Sequence, residues 1–356
     1  MKTPGIIVSF LFAGLLLAVS CSEKDDESKA FAAQKVSFSI GSISSRAPET
    51  KGTPAYTENV ASLYGSFDAR VFGSDRIPAA TFSYESSTGK WSHQYDINPW
   101  SVSDPIHFWM SMPSGNNLAG VSNLSYNGSS IGFDFKTPAT AVQQKDILFA
   151  TKEISRRDHD SNRNSLFFLH ALSGVKFALG DQSSGVRITE IRISGLMGQG
   201  VCSITPSGES SSSSCVTWSG KSILRDNNNA EVVFSQTFSS SDVVTYTSGD
   251  SNHFAQSFYA AGAANNVNDA SASKTFWFIP QQLSSGVILT VTFSINGVTS
   301  TQSVSLGDKA KKNGVFPTWG AGELRTYTLT PHAADIVVTE YVHSAGNVHA
   351  YGFESL

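Results

Sequence analysis

Cysteine is scarce in this sequence, with three in 356 residues. That is too few for a fold stapled by several disulfides. Charge is scarce as well: 15% of residues are charged and the net is −4, so no basic surface marks the chain for nucleic acid. Beyond the first twenty residues, no apolar run reaches membrane-spanning length. Runs of helix formers are few, which argues against a helical bundle or a doubly wound sheet. The eight histidines form no H-E-x-x-H and no paired ligand spacing, and no phosphate loop or dinucleotide fingerprint follows a strand. No metal, cofactor or catalytic residue is therefore expected. Glycine, serine, threonine and aromatic residues are plentiful instead, the composition of an exported all-β protein.

The first twenty residues read as an export signal. Lys2 is followed by a mostly apolar stretch from Ile6 to Val19, about the length of a signal-peptide core and short for a membrane span. It ends on Leu17, Ala18, Val19, Ser20 and Cys21, which resemble a bacterial lipobox. The resemblance implies that Cys21 is the first mature residue and carries lipid, each buried methylene contributing roughly 0.8 kcal/mol to membrane attachment. Residues 1–20 are then the signal peptide. Residues 21–33 form a flexible acidic tether, with Glu23, Asp25, Asp26 and Glu27 resembling the export signal of surface lipoproteins in Bacteroidetes. A plain secretory signal and a solvated spacer are the alternatives.

From Lys35 onward, apolar residues recur with period two, the strand signature. Val36, Phe38 and Ile40 fall on one face of "KVSFSI", and Val175, Phe177 and Leu179 on one face of "SGVKFALG". The clearest case is "VILTVTFSINGVTSTQSVSL", where Leu289, Val291, Phe293 and Ile295 alternate with polar residues before the hairpin turn Asn296-Gly297. Turn clusters about every 8–12 residues predict sandwiches. The polar loop Ser155 to Ser165 is the expected boundary, giving two β-sandwich domains over 34–158 and 164–332 and a C-terminal strand region over 333–356. Residues 252–274 read as a long surface loop. Cys202 and Cys215 flank a serine-rich turn. In an oxidising envelope a disulfide between them would stabilise by about 3 kcal/mol, and two buried thiols are the alternative.

Three fragments invite chemistry. "GSSIG" at 128–132 matches G-x-S-x-G with Ser130 as the nucleophile, but a strand before and a strand after would deny it the strand-to-helix elbow. "DHDSNRN" places Asp158, Asp160 and Asn162 at alternate positions, yet Arg163 and Leu169 stand where a calcium loop needs Gly and a carboxylate. His170 sits in an apolar run and reads as a hydrogen-bonded packing residue.

Taken in order, "VSFSIGSISSRA", "GKWSHQYDINPW", "IHFWMSMP", "DILFA", "FFLHALSGVKF", "FWFIPQQLSSGVILTVTFSING" and "FPTWGAGELRTYTLT" resemble the fimbrillin family, the Mfa-like and FimA-like pilins and fimbrial lipoproteins of Bacteroidales. "NPWSVSDPIHFWMSMP" departs from the family's more regular pattern. The resemblance implies tandem transthyretin-like sandwiches and a surface lipoprotein of the outer membrane. It also implies a trypsin-like cut between Arg46 and Ala47 and partners that are other fimbrial subunits. Loss of the strand around Val36, Phe38, Ile40 and Ile43 would open an apolar groove, a template for strand addition. The C-terminal stretches "DIVVTEYV", with Ile336, Val338 and Val342 on one face, and "VHAYGFESL" are candidate donors. Against this stand an ordinary loop at Arg46 with both terminal strands paired in their own chain, and a glycan-binding surface lipoprotein with exposed aromatic platforms.

Overall fold

The computed structural model describes residues 34–43, 66–71, 80–95, 98–101, 104–112, 118–127, 130–160, 165–179, 186–205, 215–238, 276–332 and 336–342. Cys21, Arg46 and Ala47 lie outside them, as do the loop 252–274 and most of 333–356.

Seven strands close into a barrel in the order β1 (Gln34–Ile43), β4 (Lys90–Tyr95), β3 (Ala80–Glu85), β2 (Ser66–Val71), β5 (Ile106–Met112), β8 (Leu148–Ile154) and β9 (Ser165–His170). Its interior is aromatic. Phe67 and Phe82 stack with ring centroids 5.0 Å apart, and Trp91 and Phe168 pack on Phe67 at 5.4 and 5.7 Å. Alternation along each strand produces this filling, since every second side chain points inward.

A second sheet runs β13 (Val216–Ile223), β12 (Met197–Ile204), β7 (Ser130–Lys136), β6 (Val121–Asn127). Its buried Ile131, Phe133, Phe135, Cys202 and Ile204 belong to the same core as the barrel, Phe133 stacking on Phe149 at 5.4 Å. The third unit is a sandwich. One sheet is β15 (Phe276–Phe278), β10 (Ser173–Leu179), β20 (Leu324–Pro331), β21 (Ile336–Val342). The other is β14 (Phe234–Thr237), β11 (Val186–Ser194), β17 (Ile288–Ile295), β18 (Val298–Ser305). Val175, Phe177, Ile191, Leu289, Val291, Phe293, Tyr327 and Leu329 share the core between them. A short pair, β16 (Gln281–Gln282) and β19 (Thr318–Trp319), completes the fold.

The expected hairpin between β17 and β18 is present. Ile295 pairs with Val298, and Asn296 and Gly297 take φ of 50° and 83°, the left-handed conformation that a two-residue turn of this type requires. The expected boundary at Ser155 to Ser165 is crossed by the sheets. β8 pairs with β9 across it, and β7 from before it pairs with β12 from after it. Within that polar loop Arg156–Asp160 forms one turn of helix, α1.

Candidate functional site

β1 is the strand that closes the barrel, and it does so with two partners in succession. Gln34 to Phe38 pair antiparallel with β4, from Gln34 opposite Tyr95 to Phe38 opposite Trp91. From Ser39 the strand pairs parallel with β9, Ser39 opposite Ser165 and Ile43 opposite Phe168, with a register shift between Ile40 and Ser42. Without β1, the facing edges of β4 and β9 would each carry an unmatched row of backbone donors and acceptors. Val36 and Phe38 are fully buried. The Phe38 ring lies 5.0 Å from Phe82, 5.3 Å from Phe108 and 6.2 Å from Phe67, so the strand also plugs the aromatic interior.

Upstream of Ser39 the side of β1 away from β4 is met, among the described residues, by α1. The Ser37 amide donates to His159 Nε2 at 3.3 Å. α1 is capped by Ser155, whose Oγ accepts from the Asp158 amide at 3.1 Å and donates to Asp158 Oδ2 at 2.9 Å. The Arg156 amide donates to Asp104 Oδ1 at 3.1 Å, and the Trp100 ring packs 4.8 Å from the His159 ring. Burial lowers the His159 pKa from 6.5, Asp160 opposing that shift and Lys90 adding to it.

Toward the other end of the chain, β21 is an edge strand among the described residues. It pairs with β20 from Pro331 opposite Ile336 to Arg325 opposite Val342. Ile336 and Val338 are buried, as the alternation predicts, and Val337 is exposed. Both terminal strands thus pair within their own chain in this structure.

The other sequence candidates fall elsewhere. Ser130 opens β7 directly opposite Asn127 at the end of β6, so a strand follows it and no nucleophile elbow forms. In the "DHDSNRN" fragment Asp158 caps α1, while Asp160 approaches Arg156 at 4.0 Å and His159 at 3.5 Å. Among the described residues no three His, Cys, Asp or Glu side chains converge on a metal geometry. His170 is buried, bonds through Nδ1 to the buried Asp146 Oδ2, and lies parallel to Trp277 at 6.4 Å. Asp146 also accepts from the Ile147 amide at 2.9 Å. This pair holds the junction of β8, β9 and β15 from inside. Sequence reading missed Asp146 because nothing local marks an aspartate as the partner of a histidine 24 residues later.

Cys202 and Cys215 are both buried and held as thiols. Cys202 stands opposite Trp218, while the Thr205 amide donates to the Cys215 carbonyl at 3.0 Å. The cysteines are therefore three ladder positions out of register, roughly 10 Å along the strands, against about 4.4–6.8 Å between the Cα atoms of a bridge. Burial raises the Cys202 pKa, with Cys215 adding to the effect.

Aromatic side chains do not form an exposed platform from tryptophan. Trp91, Trp100, Trp109, Trp277 and Trp319 are buried, and Trp218 is half-buried, its Nε1 donating to the Ala171 carbonyl at 3.1 Å.

These features define a class: an all-β protein of several sheets, among them a closed barrel that β1 completes between β4 and β9. A family model described as fimbrillin-like matches residues 75–343, about three quarters of the chain, and the chain belongs to that family. Membership ties it to fimbriae, the fibres of the cell surface, and to association with other fimbrial subunits. β1 and β2 precede the matched span. Among solved structures, a fimbrial protein from Bacteroides vulgatus is similar at 12% identity and a TM-score of 0.46, over 81% of this chain and 95% of that one. A fimbrial assembly protein from Parabacteroides distasonis is similar at 9% and 0.37, over 88% and 99%. A tip fimbrial protein from Porphyromonas gingivalis is similar at 8% and 0.36, over 87% and 99%. No curated protein matched the chain.

Proposed function

We propose that this chain is an adhesive subunit of a surface fimbrium. It is exported as an outer-membrane lipoprotein on Cys21, trimmed between Arg46 and Ala47, and joined to its neighbours by strand exchange. The observation that carries the reading is the position of β1. It closes the barrel between β4 and β9 and ends at Ile43, three residues before Arg46. Cleavage there would cut the strand free of the covalent chain while leaving β2 to β21 continuous. The vacated site would offer two sheet edges and the cavity left by Val36 and Phe38. An extended strand with alternating apolar residues would fill it by β-augmentation. The C-terminal segment around Ile336 and Val338 has that pattern. Head-to-tail insertion is a heterologous contact and builds an open filament. Lipid on Cys21 and the acidic run behind it would bring the uncut subunit to the outer surface, and the cut would release it.

N-terminal sequencing and intact mass of protein recovered from the cell surface test the reading, together with Arg46→Ala. A wild-type start at Ala47 without lipid, and loss of both trimming and fibres in the variant, are expected. An Arg46→Ala chain that still forms fibres would refute the mechanism. A wild-type start at lipidated Cys21 would make the protein a permanent anchor or surface binder.

A further inference from the structure

Among the described residues no strand lies beside β1 at Ser37 on the α1 side, and its amide there donates to a histidine. We infer that His159 is a pH-sensitive latch on β1, holding the strand when neutral and loosening it when protonated. A backbone N–H can only donate, so Nε2 must carry a lone pair to accept from Ser37 at 3.3 Å. The ring's single proton then sits on Nδ1, on the side of Asp160 Oδ1 at 3.5 Å. A second proton, taken from water in acid, has only Nε2 to bind, and there it would point at the Ser37 N–H. The acceptor is lost and two donors face each other.

The surroundings decide how readily that proton binds. The His159 side chain is 12% exposed, so water replaces the lost partner poorly. Trp100 covers the ring at 4.8 Å. Among charged groups, Asp160 on α1 favours the charged ring but is shared with Arg156 at 4.0 Å, and Lys90 on β4 disfavours it. Burial is the largest influence and also favours the neutral ring. A histidine whose folded-state pKa is depressed binds fewer protons folded than unfolded. Its contribution is complete above the ordinary value of 6.5 and is lost as pH falls below it, down to the depressed value. Acid therefore weakens the seat of β1 while leaving the sandwich of β10, β11, β17 and β20 untouched. That acid would promote subunit assembly rests on the function proposed above; the latch itself does not.

Hydrogen–deuterium exchange of the full chain at pH 7.5 and 5.5, corrected for intrinsic rates, tests the latch. Protection of residues 34–43 is expected to fall about five-fold, the effect of losing one hydrogen bond, while residues 288–295 in β17 keep theirs. His159→Gln should abolish the pH dependence, because its amide oxygen can take the place of Nε2 and does not titrate. No fall in β1, an equal fall in β17, or the same fall in His159→Gln would overturn the proposal. Should the variant fail to fold, the NMR titration of His159 in the wild type decides. A midpoint below 6.5 supports the latch, and one at or above 6.5 overturns it.

Discussion

Phe38 shows how much of β1's hold rests on single side chains. It is buried to 1% exposure and touches three other phenylalanine rings, so truncation leaves a cavity that a close-packed barrel cannot collapse around. Phe38→Ala should cost about 3–5 kcal/mol in chemical denaturation, a large share of the roughly 5–15 kcal/mol that typically separates a folded domain from its unfolded chain. A loss under about 1 kcal/mol would mean that β1 is already loose in the uncut chain. Phe38 was legible from alternation alone. His159 and Asp146 were not, because their roles depend on partners 122 and 24 residues away.

At the scale of elements, the hairpins follow from local chemistry, and so does α1, whose N-cap Ser155 and its partner Asp158 stand three residues apart in the sequence. The β12–β13 hairpin was legible as two strands, but its register was not. A shift of one residue exchanges the two faces of a strand, and the register found sets Cys202 three positions from the residue opposite Cys215. Intact mass should therefore be unchanged by reductant. Native-state alkylation of Cys202 should be much slower than in the unfolded chain, since burial holds the thiol protonated. A reductant-dependent mass shift would show that the two cysteines are bridged and that the β12–β13 register differs from the one found.

Across the whole molecule, the uncut chain has both of its terminal strands satisfied. β1 is paired on β4 and β9, and β21 on β20. On the proposed mechanism, assembly requires the first to leave one subunit and a C-terminal strand to leave another. A synthetic peptide spanning 333–356, added to trimmed protein, is expected to occupy the vacated site and shorten or abolish fibres by electron microscopy. Unchanged fibre length with bound peptide would place the donor elsewhere. Because the barrel and the β6–β7–β12–β13 sheet share one core, the vacated site would be backed by rigid packing rather than by a separate, mobile domain.

Period-two alternation, turn residues and composition by themselves determined that this chain is all-β, which faces of β1, β10, β17 and β21 turn inward, and that Asn296-Gly297 is a hairpin. These are local consequences of backbone geometry, in which side chains alternate and only certain residues take positive φ. The order of motifs along the chain was enough to place it among the fimbrillins. Only the tertiary structure decided that β1 joins β4 to β9, that sheets cross the loop at 155–165, and that His159 meets the edge of β1. Strand partners and registers are set by the joint packing of distant segments, and alternation, which is the same for every strand, does not say which two will meet.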